Sequence, residues 1–286
     1  MPAADGPVAV LAGSGRLPLE LVEHLKASGR DHRILAIRGF AAGALRKQAH
    51  EVCDLLDPAS VLRTLERWSP SAVTLVGAVS RPGLPALLGA LAAFRNRAEV
   101  RDLLARGDDH LLRGAVQLLE EHGLTVVGAH ELVPELAIPA GFGGGALPGD
   151  EDRDTIAAAL TLLETLSPYD IGQAVVVARQ RVVAVEGPEG TDRMLRRVAA
   201  LRRSWFRRVR EGGVLVKAAK RGQDLRVDMP TIGPRTVTEA RRAGLSGIAV
   251  GARSTLVLDR AETVRAAERA GLFVISVGLP WMGENA

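Results

Sequence analysis

A single cysteine, Cys53, stands in 286 residues. One thiol excludes an internal disulfide and any multi-cysteine zinc site, and it suits a reducing, cytoplasmic setting. Aromatic residues are scarce at 3%, so the interleaved stacking platforms of a single-stranded nucleic-acid binder are missing. No helix-turn-helix or zinc-finger pattern appears, and nucleic acid is not an expected partner. No apolar run approaches the roughly 20 residues that span a bilayer. The stretch Met1 to Gly15 carries Asp5 and no basic n-region, which speaks against a signal peptide. Any membrane contact is therefore expected to be peripheral.

What the chain does have is an ordinary core-forming composition, 47% apolar with 24% charged, which excludes disorder except locally. Its length favours two domains. The net charge of +4 comes from many arginines and few lysines. Arginine makes planar, bidentate contacts to phosphate and carboxylate, so an anionic partner is expected.

The periodicity predicts an α/β protein. Val8 to Ala12, Arg33 to Ile37 and Ala72 to Val79 read as strands, and Leu17 to Ala27, Ala59 to Trp68 and Leu111 to His122 as helices. Thr125 to Val127 is also strand-like. This β–α alternation predicts a Rossmann-like parallel sheet with helices on both faces over residues 1–133. Residues 134–149 hold three prolines and five glycines and read as a linker, with a long loop inside one domain as the alternative. Residues 150–286 predict a mixed α/β domain that carries Asp228. Its expected elements are a helix capped by Asp150 or Asp152, a hairpin Ala174 to Ala178 and Val182 to Val185, and a long basic helix or pair of helices Asp192 to Arg210. Short strands are expected at Val214 to Val216, Leu225 to Val227, Ile248 to Val250, Thr255 to Leu258 and Phe273 to Val277, with helices at Thr238 to Ala243 and Ala261 to Ala270.

The chemistry concentrates at Lys217-Ala-Ala-Lys220 and Arg226-Val-Asp228-Met-Pro230-Thr231-Ile-Gly233. Here a carboxylate at the end of an expected strand stands among cations that favour its ionised form. That suits a metal ligand or a base acting on a phosphorylated substrate; a surface ion pair beside a turn is the plain alternative. Gly13-Ser14-Gly15, at a strand-to-helix turn, offers N–H groups to an anion or serves packing alone. It is a poor dinucleotide fingerprint, because Pro18 occupies the third glycine position and Arg38, not an acid, ends the second strand. Ser80-Arg81 is placed to clamp a phosphate, or to cap a helix. Asp108 and Asp109 suit an N-cap, and His130-Glu131 suits either catalysis or structure. Glu186-Gly-Pro-Glu189-Gly-Thr191-Asp192 reads as a metal or phosphate loop opposite Asp228, or as a glycine turn before a helix. The arginines from 196 to 210 follow an apolar stripe that suits anionic lipid headgroups or the packing of a surface helix on its own domain.

In order along the chain, Ala12-Gly13-Ser14-Gly15-Arg16-Leu17-Pro18, Gly77-Ala78-Val79-Ser80-Arg81-Pro82, Gly107-Asp108-Asp109, Gly128-Ala129-His130-Glu131, Asp170-Ile-Gly-Gln173, the Glu186 to Asp192 loop and Val227 to Gly233 resemble the LpxI-type UDP-2,3-diacylglucosamine pyrophosphatases of lipid A biosynthesis. The resemblance covers nearly the whole chain. It departs at Ser14, where a glycine is expected, and at Arg16, where a small residue is expected. It implies two domains around a substrate cleft, a homodimer, and an enzyme at the cytoplasmic membrane surface. The implied reaction is cleavage of UDP-2,3-diacylglucosamine to UMP and 2,3-diacylglucosamine 1-phosphate with Mg²⁺. It further implies Asp228 as the key carboxylate and Asp228 with Glu186 at the metal. Gly13, Ser14, Gly15, Ser80, Arg81, Asp109, His130, Gln173, Thr191, Lys217 and Thr231 are the implied substrate contacts. A nicotinamide-dependent oxidoreductase and a non-catalytic anion-binding module are the rival readings.

Overall fold

A computed structural model describes residues 6–54, 57–79, 108–169, 171–204 and 212–282. The chain forms two compact units. The first is Met1–Pro134 together with Arg226–Asp228, and the second is Glu135–Leu225 with Met229–Ala286.

The first unit is built on β1 (Val8–Ala12), α1 (Leu17–Ala27), β2 (His32–Ile37), α2 (Gly43–Arg46), β3 (Glu51–Cys53), α3 (Pro58–Trp68), β4 (Ala72–Val76), α4 (Asp108–Glu121) and α5 (Ala129–Leu132). Among the described residues its strands lie in the order β3-β2-β1-β4, and these pairings are parallel. All five residues of β1 are buried, as expected for a central parallel strand covered on both faces. Pro18 sits in the first turn of α1, where a missing N–H costs nothing. Asp57 caps α3 by accepting from the Ser60 N–H at 3.0 Å. One core joins Leu35, Leu65, Trp68 and Val73 to Val116 and Leu119 of α4. The expected strand at Thr125 to Val127 shrinks to one parallel bridge, Val126 on Val73, beyond the β4 edge.

The second unit contains β5 (Gly143–Gly145), α6 (Asp150–Leu166), β6 (Ala174–Ala178), β7 (Arg181–Val185), α7 (Thr191–Ser204), β8 (Val214–Lys217), β9 (Thr231–Ile232), α8 (Pro234–Arg242), β10 (Gly247–Gly251), β11 (Leu256–Val257), α9 (Arg260–Ala270) and β12 (Phe273–Val277). Six strands form a mixed sheet, β5-β12-β10-β8-β6-β7, and β9 pairs separately with β11. Strand alternation divides the core between the two faces. Val175, Val177, Val214 and Val216 pack with Ile156, Ala159 and Leu163 of α6. Ala174, Val176 and Leu215 pack with Met194, Leu195, Val198, Val237 and Ala267 of α7, α8 and α9. The β6–β7 hairpin turns on Arg179 and Gln180, both at positive φ (49° and 60°), the backbone a two-residue hairpin of matching twist requires.

Several expectations give way here. Residues 134–149 are not a free linker: Gly143–Gly145 pairs antiparallel with β12, and Ile138 is fully buried in the core. A sheet edge in need of a partner accepted glycines that sequence pattern alone reads as loop. Leu225 to Val227 is a turn and not a strand, because Val227 packs on the core of the first unit instead of joining a ladder. For the same reason Arg226–Asp228 belongs to the first unit, although its sequence neighbours lie in the second. The helix expected from Thr238 begins four residues earlier, at Pro234, where Thr236 Oγ1 accepts from the Gly233 N–H at 3.3 Å.

Candidate active site

In the first unit, β1 has β2 on one side and β4 on the other, so the carboxyl ends of β1 and β4 form the switch point where open parallel sheets bind ligands. The loops leaving those ends are bonded to one another. Gly13 N–H donates to Val76 O at 2.8 Å, and Ser14 and Ala78 exchange backbone bonds of 2.9 Å. Ser14 Oγ donates to Ala78 O at 2.6 Å. The expected substrate contact Ser14 thus commits its proton to the loop itself. Gly77 makes the close approach possible, with φ at +92° and a Cβ position only 2.6 Å from the Ser14 carbonyl oxygen. Gly15 is exposed at the tip, and among the described residues nothing comes within 4 Å of its Cβ position, at the start of α1. Ser80 and Arg81 lie outside the described residues, and so does the side chain of Asp109.

His130 lies on the short helix α5. Its Nδ1 is buried and has no hydrogen-bond partner among the described residues. Burial pushes its pKa below the ordinary value, while the neighbouring Glu131 charge acts in the opposite direction. Glu131 itself is structural, since its Oε1 accepts from the Gly128 N–H at 2.7 Å. Asp228 is half-buried in a loop of this same unit. Of the cations expected around it, Arg226 donates from Nη1 to Glu120 Oε1 at 2.7 Å, and Lys217 is engaged in the second unit.

There the sheet builds a buried polar cluster. Glu186 directly follows β7 and Lys217 ends β8. Both flank Ala174 of β6, which pairs with Lys217 and accepts from the Glu186 N–H at 2.8 Å. Thr191, the first residue of α7, donates its hydroxyl to Glu186 Oε1 at 2.5 Å. The same hydroxyl accepts from Lys217 Nζ at 2.7 Å. The ammonium stands 3.8 Å from Glu186 Oε1, and the Gln173 N–H donates to Glu186 Oε2 at 2.9 Å. Relative exposures of 7%, 8% and 9% for Glu186, Thr191 and Lys217 keep this charge pair away from solvent screening. The structure therefore brings together Gln173, Thr191, Lys217 and Glu186. Thr231 lies on β9, its hydroxyl donating to Met229 O at 3.0 Å.

This environment bears on the expected Mg²⁺. Both oxygens of Glu186 are held by protein donors and its charge is matched by an ammonium, so Glu186 does not fit a metal ligand. Asp228 and Glu186 also fall in different units. Among the described residues no group of three or more His, Cys, Asp or Glu side chains is placed to hold a metal. Mg²⁺ commonly takes one or two carboxylates and completes its shell with substrate phosphates and water; Asp228 fits that use.

Two structural features were not legible in the sequence. The Glu186–Lys217 pairing is separated by 31 positions and comes from strand order; its only sequence signal is a charge at the end of each apolar strand. Arg202 is the other. Within the basic helix it is buried, donating to Ala243 O and Gly244 O at 2.7 Å and to Gly212 O at 2.9 Å. It closes the carboxyl end of α8 and does not belong to a lipid-facing surface. The helix is described to Ser204, and the expected continuation at residues 205–210 lies outside the described residues.

Comparison with known proteins covers both units. Residues 7–136 match the family described as LpxI N-terminal domain, and residues 139–275 match the LpxI C-terminal domain. The chain is 38% identical over 269 residues to the UDP-2,3-diacylglucosamine pyrophosphatase LpxI of Caulobacter vibrioides, across 94% of this chain and 96% of that protein.

Proposed function

The chain belongs to the LpxI family in both of its domains, and on that premise we propose that it hydrolyses the diphosphate of UDP-2,3-diacylglucosamine. Water adds to one phosphorus, the anhydride P–O bond breaks, and the leaving phosphate keeps the electron pair. The products are UMP and 2,3-diacylglucosamine 1-phosphate, in keeping with lipid A biosynthesis. The observation that carries this reading is the extent of the likeness, 94% of the chain, with every motif quoted above inside residues 7–136 and 139–275 matched by the two family domains. Neither the oxidoreductase nor the non-catalytic module finds support in the comparisons.

We assign the essential carboxylate to Asp228, which is also the residue that would hold Mg²⁺. When bound, the ion neutralises charge on the diphosphate. Glu186 is reassigned from metal ligand to organiser: it takes the Thr191 proton, and through Thr191 it orients the Lys217 ammonium, the cation offered to an anionic group. The exposed Gly15 loop at the start of α1 suits a phosphate. His130, Gln173, Thr231, Ser80, Arg81 and Asp109 complete the proposed substrate contacts. Peripheral attachment to an anionic cytoplasmic membrane face suits the +4 charge. Among the described residues no helix is long and apolar enough to cross a membrane. A homodimer is also part of the proposal and rests on the family resemblance.

The test is incubation of the intact protein with UDP-2,3-diacylglucosamine and Mg²⁺, following UMP release. Absence of UMP from a folded preparation rejects the reaction. Full turnover in excess EDTA rejects the metal dependence alone.

A further inference from the structure

Asp228 occupies an unusual place in the chain. Arg226–Asp228 belongs to the N-terminal unit, while the residues up to Leu225 and from Met229 belong to the other. Among the described residues the segment has no β-pairing, and local anchors on the N-terminal unit hold it. Arg226 Nη1 donates to Glu120 Oε1 at 2.7 Å, in the last turn of α4. Val227 packs on the apolar cluster that includes Leu119 and Val126. Gly128 faces the segment so closely that a Cβ there would stand 3.1 Å from Arg226 Cα and 2.5 Å from the His130 ring.

We propose that Glu120, Arg226 and Gly128 form a clip that seats Asp228 on the N-terminal unit, and that all three are positioning residues for the reaction. This rests on the proposed function and on the assignment of Asp228. The α4 end and the start of α5 are fixed by the core of the unit, so a segment pinned to both shares their rigidity. The same unit carries the Gly13 loop and His130, so the clip gives the carboxylate a fixed frame with them. Loss of alignment by even about 1 Å is costly to a reacting group. The ion pair is partly exposed, with side chains at 34% and 46%, so removing it leaves the fold standing.

The experiment compares wild type with Glu120→Ala, Arg226→Ala, Gly128→Ala and the charge exchange Glu120→Arg/Arg226→Glu, all in the intact protein. Two quantities are read: UMP release from UDP-2,3-diacylglucosamine, and amide hydrogen exchange of the peptide spanning residues 224–230. Each charge removal is expected to lower kcat about fivefold, the upper value for an exposed pair carried into the barrier, with KM within about twofold. Exchange in 224–230 should accelerate, and the charge exchange should recover both quantities. Gly128→Ala should accelerate exchange in the same peptide. Unchanged exchange in the charge-removal variants overturns the clip, whatever the substrate proves to be. Recovery of neither quantity by the charge exchange also overturns it, because Arg226 then acts through some other contact. A wild type that releases no UMP rejects the proposed reaction, and the exchange measurement still decides the clip.

Discussion

The Lys217 ammonium and the Glu186 carboxylate neutralise one another in a place where water does little. Removing one member of a buried pair strands the other charge, typically at about 3–5 kcal/mol. Glu186→Ala should therefore lower stability by about that amount, read from denaturant unfolding, and a change under about 1 kcal/mol would contradict the geometry. Asp228 is a different case, half-buried in a loop. Asp228→Ala should keep the fold and lose on the order of 10²–10³-fold in turnover while still holding substrate. A folded Asp228→Ala protein with near-normal turnover would reject its proposed role. His130 adds a pH dependence. Its folded pKa lies below the ordinary 6.5 because burial disfavours the charged ring, so the unfolded chain binds the proton first as pH falls. The stability from neutral His130 is full above about pH 6.5 and is lost as pH drops below it toward the folded pKa. His50 shifts the same way, and its Nδ1 accepts from the Ile34 N–H at 3.1 Å. His130→Asn should thus flatten part of the acid-side slope of unfolding midpoints between pH 7.5 and 5, and an unchanged slope would refute the assignment.

The element that shapes the first unit's site is a pair of loops, after β1 and after β4, that bond to each other before any ligand arrives. Their contact depends on Gly77, whose φ of +92° and 2.6 Å approach to Ser14 O leave no space for a methyl group. Gly77→Ala should cost at least about 1–3 kcal/mol and displace the Ser14 loop, visible as accelerated amide exchange at Ser14 and Ala78. Wild-type protection at both amides would show that the loops tolerate separation. Helix α7 illustrates the same scale from the other side. Its arginines suggest a uniform basic face, yet Arg202 turns inward to three carbonyls while Arg197 reaches Glu189 at 2.9 Å. A helix with many like charges divides them by the rotation of each position toward or away from the core.

Across the whole molecule the chain returns to its first unit for three residues after building most of the second. Fragments 1–134 and 135–286, expressed separately, should each lack turnover, since Asp228 lies on one and the Gly13 loop on the other. Hydrolysis by either fragment alone would contradict a requirement for both. The sequence by itself determined the α/β class, most helices and strands, and the order of the motifs, because apolar periodicity and strand-to-helix turns are local properties that short stretches encode. It also placed Gly13, Thr191 and Lys217 at the ends of elements, where a glycine or a polar residue interrupts an apolar run, whereas the strand it expected before Asp228 is a turn. Only the tertiary structure decided that Gly143–Gly145 completes a sheet, that Glu186 faces Lys217, and that Arg226–Asp228 seats on the N-terminal unit. These outcomes depend on which strand edge is open, on which strand separates two charges, and on which core has room for Val227. Such facts belong to chain segments far apart in sequence, and no local pattern of residues carries them.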